Sequence, residues 1–102
     1  MSKETYLYVL EYKNNPAGQI RFDVKDEIAT ISYSLDEKYR GNGLGKVLVK
    51  EGIQQLKQGN PNIKLIQVYV KNNNQPSIHT FKKLGFQEKQ ETSLELRLLQ
   101  SL

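Results

Sequence analysis

The segment whose residue types and spacing best suit chemistry is Tyr39-Arg40-Gly41-Asn42-Gly43-Leu44-Gly45-Lys46. Its glycines let the backbone turn with N–H groups pointing inward and no Cβ in the way. Apolar residues at helical spacing follow at once, so the turn opens a helix. The unpaired amides of a helix N-terminus, together with its dipole, favour an anion. Arg40 and Lys46 add positive charge on either side. The chemistry is therefore anion binding, with phosphate the natural ligand. The segment is not a Walker loop, because no Gly-Lys-Ser/Thr ends it. It is a poor dinucleotide fingerprint too, because the strands before it form a meander and no βαβ unit. The competing reading is a glycine-rich turn that does no more than start a helix.

Few other residues offer chemistry. The chain has no Cys, which excludes a disulfide framework, thiolate metal sites and a cysteine nucleophile. His79 is the single His, so a His-based metal site is not expected. It lies two residues from Phe81, on another side of the same predicted helix, and reads as a surface group. The length of 102 residues fits one domain over 1–102. The net charge of +4 suits a phosphate-bearing ligand, but the charges are too scattered for a nucleic-acid surface. Apolar runs are short, which predicts neither a membrane span nor a secretory leader and makes a cytoplasmic domain the default.

The elements that must position the glycine turn follow from periodicity. Tyr6 to Tyr12 reads as a strand, with Tyr6, Tyr8 and Tyr12 as a packing face. Asn14 to Gly18 is turn chemistry. Gln19 to Val24 alternates with Ile20, Phe22 and Val24 on one side. After Lys25-Asp26-Glu27, a third strand runs from Ile28 to Leu35 with Ala29, Ile31, Tyr33 and Leu35 together. A helix follows over about Leu44–Gln58 and stops at Gly59-Asn60-Pro61. Lys64 to Val70 is apolar on both faces and predicts a central strand covered on both sides. Asn74 and Pro76 start a second helix, which Gly85 ends after Leu84. Phe86–Glu91 and Ser93–Gln100 close the chain as strands. The predicted order β-β-β-α-β-α-β-β is an α+β layer with a mixed, mostly antiparallel sheet.

On these residues the chain resembles the GCN5-related N-acetyltransferase (GNAT) superfamily. Its acyl-CoA loop, Arg/Gln-x-x-Gly-x-Gly/Ala, is met by Arg40-Gly41-Asn42-Gly43-Leu44-Gly45. A second pattern on the following strand, helix and strand is met by Asn74, Ser77, Phe81 and Gly85-Phe86. The resemblance covers nearly all of the chain from Tyr6. It implies acetyl-CoA as co-substrate and no metal. The amides of Gly41, Asn42, Gly43, Leu44, Gly45 and Lys46, with Arg40, would take the pyrophosphate. The end of the third strand, Tyr33-Ser34-Leu35, would pair with the pantetheine arm where that strand splays from the next. Asn74, Ser77 and Phe81 would line the cofactor on the second helix. An amine would attack the thioester directly, and a strand amide would steady the oxyanion.

Two departures from the family pattern bear on the chemistry. Relatives often use a helix Tyr to protonate the leaving thiolate, and here that position is Phe81, which leaves Tyr33 and Tyr69 as candidates. Relatives also carry a Glu on the third strand as base. Thr30-Ile31-Ser32-Tyr33-Ser34 has no carboxylate, and Asp23 on the neighbouring strand is the candidate, against a plain ion pair with Arg21 or Lys25. The family's usual N-terminal strand and two helices are missing. That predicts a minimal acceptor site, a homodimer, or association with a larger enzyme. The run Gly18 to Asp23 with Ser32 to Leu35 also resembles acetyltransferase domains attached to sugar-nucleotide enzymes. The expected function is transfer of acetyl to a primary amine of a small molecule, an amino sugar or sugar nucleotide, with no nucleic acid and no membrane partner. The alternative is a non-catalytic CoA-binding regulatory module.

Overall fold

The computed structural model describes residues 4–41, 43–92 and 94–102. Strands β1 (Glu4–Tyr12), β2 (Asn15–Lys25) and β3 (Ile28–Leu35) form an antiparallel meander. Helix α1 (Leu44–Gly59), β4 (Leu65–Lys71), α2 (Gln75–Lys83), β5 (Gln87–Glu91) and β6 (Glu95–Ser101) follow in that order. The six strands make one sheet in the order β1-β2-β3-β4-β6-β5. Only β3–β4 is parallel, and a helical crossover through α1 joins them, as parallel neighbours require. The predicted element order and mixed, mostly antiparallel sheet are those observed.

The hairpin turns are tighter than their sequence suggests. Lys13-Asn14 and Asp26-Glu27 connect the first three strands, and all four residues have φ between 51° and 67°. Positive φ at both central positions is the type I′ geometry that matches strand twist. Neither turn contains the glycine that would advertise it, and Asn15-Pro16 drew the expected turn forward. Pro16 instead lies inside β2, next to a register shift: Leu10 faces Gly18, but Glu11 faces Pro16, so Ala17 is the extra residue of a bulge. A bulge is where a strand tolerates a residue that cannot donate to the ladder.

The strand residues of the buried core cluster lie on one face. Ile20 and Phe22 of β2, Ala29 and Ile31 of β3, Ile66, Val68 and Val70 of β4, and Leu96 and Leu98 of β6 are in register across it. Leu48, Val49 and Leu56 of α1 and Ile78 and Phe81 of α2 close the cluster from above. Both helices therefore cover the same side of the sheet. The other face holds Leu7, Val9 and Tyr69, each about half exposed. The expectation that β4 is covered on both sides is thus corrected. Its alternate residues Leu65 and Gln67 are only partly buried. Part of their cover is a polar row in which Arg97 donates to Gln67 at 2.8 Å and Gln67 donates to Thr30 at 2.9 Å.

Close approach of α1 to β2 is made possible by Gly52. A Cβ there would stand 2.7 Å from Cγ2 of Ile20 and 3.4 Å from Cε2 of Phe22, both fully buried. Neither atom belongs to a side chain free to swing away. Gly52→Ala gains about 1 kcal/mol of helix propensity. It loses about 1–3 kcal/mol to overpacking. We expect a net destabilisation of up to about 2 kcal/mol, read as a lower urea midpoint at unchanged slope. A raised midpoint would show that the helix relaxes outward at no cost.

Candidate active site

The glycine turn is placed by the end of β3. The strand finishes at Leu35, and Asp36 donates its N–H to the carbonyl of Ala17 at 2.7 Å, tying this end to the β2 bulge. Asp36 then caps a single 3₁₀ turn, Glu37–Tyr39, by accepting from the Lys38 N–H. Arg40 folds its side chain back, and Nε donates to the carbonyl of Leu35 at 3.1 Å. Gly41 (φ 84°) and Gly43 (φ 82°) make the left-handed steps that lead into α1. Those steps explain two of the three glycines. Asn42 lies outside the described residues.

Gly43 is the N-cap of α1 and supplies no side-chain bond, and the first turn carries no acidic residue. Among the described residues, the N–H of Val47 is the first to find a helical partner, the Gly43 carbonyl at 3.3 Å. The amides of Leu44, Gly45 and Lys46 precede it and face outward at the positive end of the helix dipole. Gly45 is helical, and a Cβ there would meet nothing within 4 Å, so space stands open over the turn. An anion can take it.

Beside the turn, the sheet splits. β3 and β4 pair in parallel from Ile28↔Leu65 to Ile31↔Val68 and no further. Yet β3 continues to Leu35, still paired to β2, and β4 continues to Lys71, still paired to β6. Between them is a slot, closed at Ile31 and Val68 and opening toward the glycine turn. The bulge at Ala17 adds local twist to the outer strands at this end. The slot leaves unpaired edges that an extended amide chain can pair with.

Helix α2 roofs the slot. Asn74 is its N-cap and accepts from the Ser77 N–H at 3.3 Å. Tyr33 reaches from β3 to α2, where its hydroxyl lies 2.7 Å from Ser77 Oγ. Its ring meets Phe81 edge-on, with centroids 5.6 Å apart. Phe81 in turn packs on Phe86 at 5.1 Å. Tyr33, Ser77 and Phe81, read separately in the sequence, thus form one contact on the helix side of the slot. Ser34 projects from the open face and Leu35 packs toward the core.

Other predicted residues fall elsewhere. Tyr69 is on the open face, paired across strands with Arg97. Asp23 is on that same face but beside the closed end of the slot, opposite Thr30. It forms an ion pair with Arg21 at 3.3 Å and accepts from the Thr5 hydroxyl at 2.9 Å. A shallow hollow there is lined by Asp23, Lys25, Thr30 and Gln67. His79 is exposed on α2. Lys82 pairs with Glu88 across to β5. Tyr6 and Tyr8 pack against the core from the outer strand, and Tyr12 meets Tyr39 edge-on. The Tyr6 hydroxyl donates to the Glu4 carboxylate, and that bond holds its pKa above the ordinary phenol value. It is remote from the slot. Among the described residues no group of His, Asp and Glu side chains is placed to hold a metal, and no helix is long and apolar enough to cross a membrane. No local pattern signals the Tyr33–Ser77 bond, which joins residues 44 apart in the chain.

Comparison with known proteins agrees with this geometry. The profile of the acetyltransferase (GNAT) family matches residues 1–86. An uncharacterised N-acetyltransferase of Methanocaldococcus jannaschii is 28% identical over 97% of this chain, which spans 46% of that protein. A mycothiol acetyltransferase of Saccharomonospora viridis is 32% identical over 74% of the chain, which spans 24% of it. The chain thus spans half or less of the length of these two curated relatives. Among solved structures, the PaiA N-acetyltransferase of Thermoplasma acidophilum, determined in complex with coenzyme A, superposes with a TM-score of 0.85 at 17% identity, covering 96% of this chain and 61% of its own. A turn of outward amides, a slot between splayed parallel strands and a family profile over most of the sequence lead to one conclusion: the chain belongs to the acetyltransferase (GNAT) family.

Proposed function

We propose that the chain binds acetyl-CoA and transfers the acetyl group to a primary amine of a small molecule. The observation that carries this reading is the junction of the glycine turn with the slot. Outward amides at residues 44–46 suit the pyrophosphate, and the unpaired β3 edge from Ser32 to Leu35 suits the amide-bearing pantetheine arm. The residues fit the co-substrate: Gly45 leaves open space where a side chain would stand. Lys46 is exposed beside the amides and adds charge for the phosphates, whereas Arg40 is engaged with the Leu35 carbonyl and contributes by holding the turn. Asn74 spends its amide oxygen on the helix cap, so its NH2 end is the part that faces a ligand carbonyl.

Acetyl-CoA supplies an activated acyl group, and the chain supplies position. The slot aims the thioester at the closed end, where strand amides meet a developing oxyanion. The acceptor approaches from the open face. A second copy, or the rest of a larger enzyme, would complete the acceptor site on that bare surface. An amino sugar or sugar nucleotide is the acceptor class we favour, on the resemblance of Gly18 to Asp23 and Ser32 to Leu35 to domains of sugar-nucleotide enzymes.

The test is release of free thiol from acetyl-CoA with a panel of amino sugars, nucleotide-linked amino sugars and aliphatic amines, with products weighed by mass spectrometry. Acetylated product from at least one amine is expected. Saturable binding of acetyl-CoA with no product from any amine would contradict the enzyme reading and leave a binding module.

A further inference from the structure

We propose that the outer edge of β1 pairs with β1 of a second copy, antiparallel and centred on Tyr8, joining two six-stranded sheets into one. The inference goes beyond the acetyl-transfer reading and does not rest on it. The sheet ends at β1 on one side and at β5 on the other, and the two edges are built differently. β5 is five residues long, reads Gln87-Glu88-Lys89-Gln90-Glu91, and breaks register between Glu88 and Gln90. Short length, charge and a bulge all blunt an edge against further pairing. β1 is nine residues long and carries no Lys, Arg or Pro. Thr5 to Leu10 is uncharged throughout and rich in the β-branched and aromatic types that favour strands. Among the described residues no strand pairs with its outer side, so alternate N–H and C=O groups point outward with no strand to take them.

The residues of β1 say which occupant fits. Directly opposite residues of an antiparallel pair share a face of the sheet, so a strand paired with itself must be centred on one residue. With the centre at Tyr8, the whole strand pairs, from Glu4 opposite Tyr12 onward. On the helix side Tyr6 then faces Leu10 and Tyr8 faces its own copy, and these side chains already pack against the core. On the open side Leu7 faces Val9, and both are about half exposed in the single chain. The glutamates stay apart, because Glu11 faces Thr5 and Glu4 faces Tyr12. Glu4 also comes beside Lys13, which follows Tyr12 in the other copy. A centre at Leu7 would set Glu4 against Leu10, and a centre at Val9 would set Glu11 against Leu7. The strand is thus complementary to itself in one register, as a two-fold interface requires. Pairing two such edges consumes both and leaves only the blunted β5 edges, so the assembly closes at two copies. The β3–β4 slot lies two strands inward and stays open.

Sedimentation of the chain over a concentration series reads the state directly. A species of twice the chain mass, dissociating on dilution, is expected. Two double variants test the register. Leu7→Glu with Val9→Glu sets like charges opposite each other twice across the two-fold axis. Leu7→Glu with Val9→Lys sets opposite charges there and removes the same apolar surface. The first pair should dissociate at least about tenfold more readily than the second. Within one chain these positions face Arg21 and Gln19 of β2, so both variants keep a compatible neighbour, and equal thermal midpoints at dilution would show intact folds. Tyr69→Glu charges the open face away from the edge and should leave the dimer unchanged. A chain still monomeric at about 1 mM, where even a weak specific pair forms, would overturn the proposal. So would a dimer that Tyr69→Glu breaks, a dimer indifferent to the charges at positions 7 and 9, or growth beyond two copies. Acetyl-CoA binding stands or falls separately from all of these.

Discussion

A Gly45→Val chain should fold as well as its parent and bind acetyl-CoA at least about 100-fold more weakly, a loss of about 2.7 kcal/mol. The two halves of this expectation rest on different observations. Gly45 lies in the first turn of α1 with helical φ, and a Cβ there would meet no atom within 4 Å. Valine costs a helix no more than glycine does, so folding has nothing to lose. The same open space is where the proposed phosphates sit, and a β-branched side chain fills it next to the outward amides of Leu44 and Lys46. Gly43→Val is a poorer probe, because φ of 82° strains any β-branched residue and mixes folding with binding. Linkage gives a direct reading. Acetyl-CoA at 100 times its dissociation constant raises stability by about 2.7 kcal/mol. The parent's thermal midpoint should therefore rise with acetyl-CoA, and the variant's should rise by no more than about 0.4 kcal/mol of added stability allows. A variant that melts with its parent and responds to acetyl-CoA as the parent does would place the phosphates elsewhere.

Phe81→Ala should cost about 3–5 kcal/mol, the range for emptying a buried aromatic site. The ring is fully buried, fills the space between β3, α2 and the start of β5, and meets both Tyr33 and Phe86 edge-on. A domain of this size has about 5–15 kcal/mol in all. The loss should appear in a denaturant titration as a large drop in midpoint. Phe81→Leu keeps much of the volume and should cost clearly less. Alanine also removes the surface that orients Tyr33, so acetyl-CoA affinity should fall in whatever fraction remains folded. A change below about 1 kcal/mol for Phe81→Ala would mean that Tyr33 and Phe86 collapse into the gap.

What could be read from the residues, and what could not, divides along physical lines. Periodicity is local, so the alternation of Ile20, Phe22 and Val24 and the helical spacing from Leu48 to Leu56 located β2 and α1 within a few residues. Breakers are local too: Asn74 caps α2 through the Ser77 amide, and Gly85 ends it at φ 95°. The Lys13-Asn14 turn escaped, because the stronger turn signal of Asn15-Pro16 lies just after it, whereas Lys25-Asp26-Glu27 was legible and the chain turns there at Asp26-Glu27. One-sided cover of β4 escaped as well. Leu65 and Tyr69 look like a second core face, but hydropathy cannot say whether another element arrives to bury them. At the site, the glycine turn was legible because its chemistry lies in consecutive residues. The slot was legible only through family resemblance, since it is a failure of pairing between strands separated by a helix. The Tyr33–Ser77 contact could not be read at all, because it depends on which way two side chains lean after the sheet has split.

The most direct measurement is calorimetric titration of this chain with acetyl-CoA, alongside Gly45→Val as the matched control. A saturable isotherm with one site per chain and micromolar or tighter affinity, absent in the control, is the predicted result. A folded, monodisperse chain that gives no isotherm, or the same isotherm with and without the valine, would contradict the assignment of the glycine turn and the β3–β4 slot as the acetyl-CoA site.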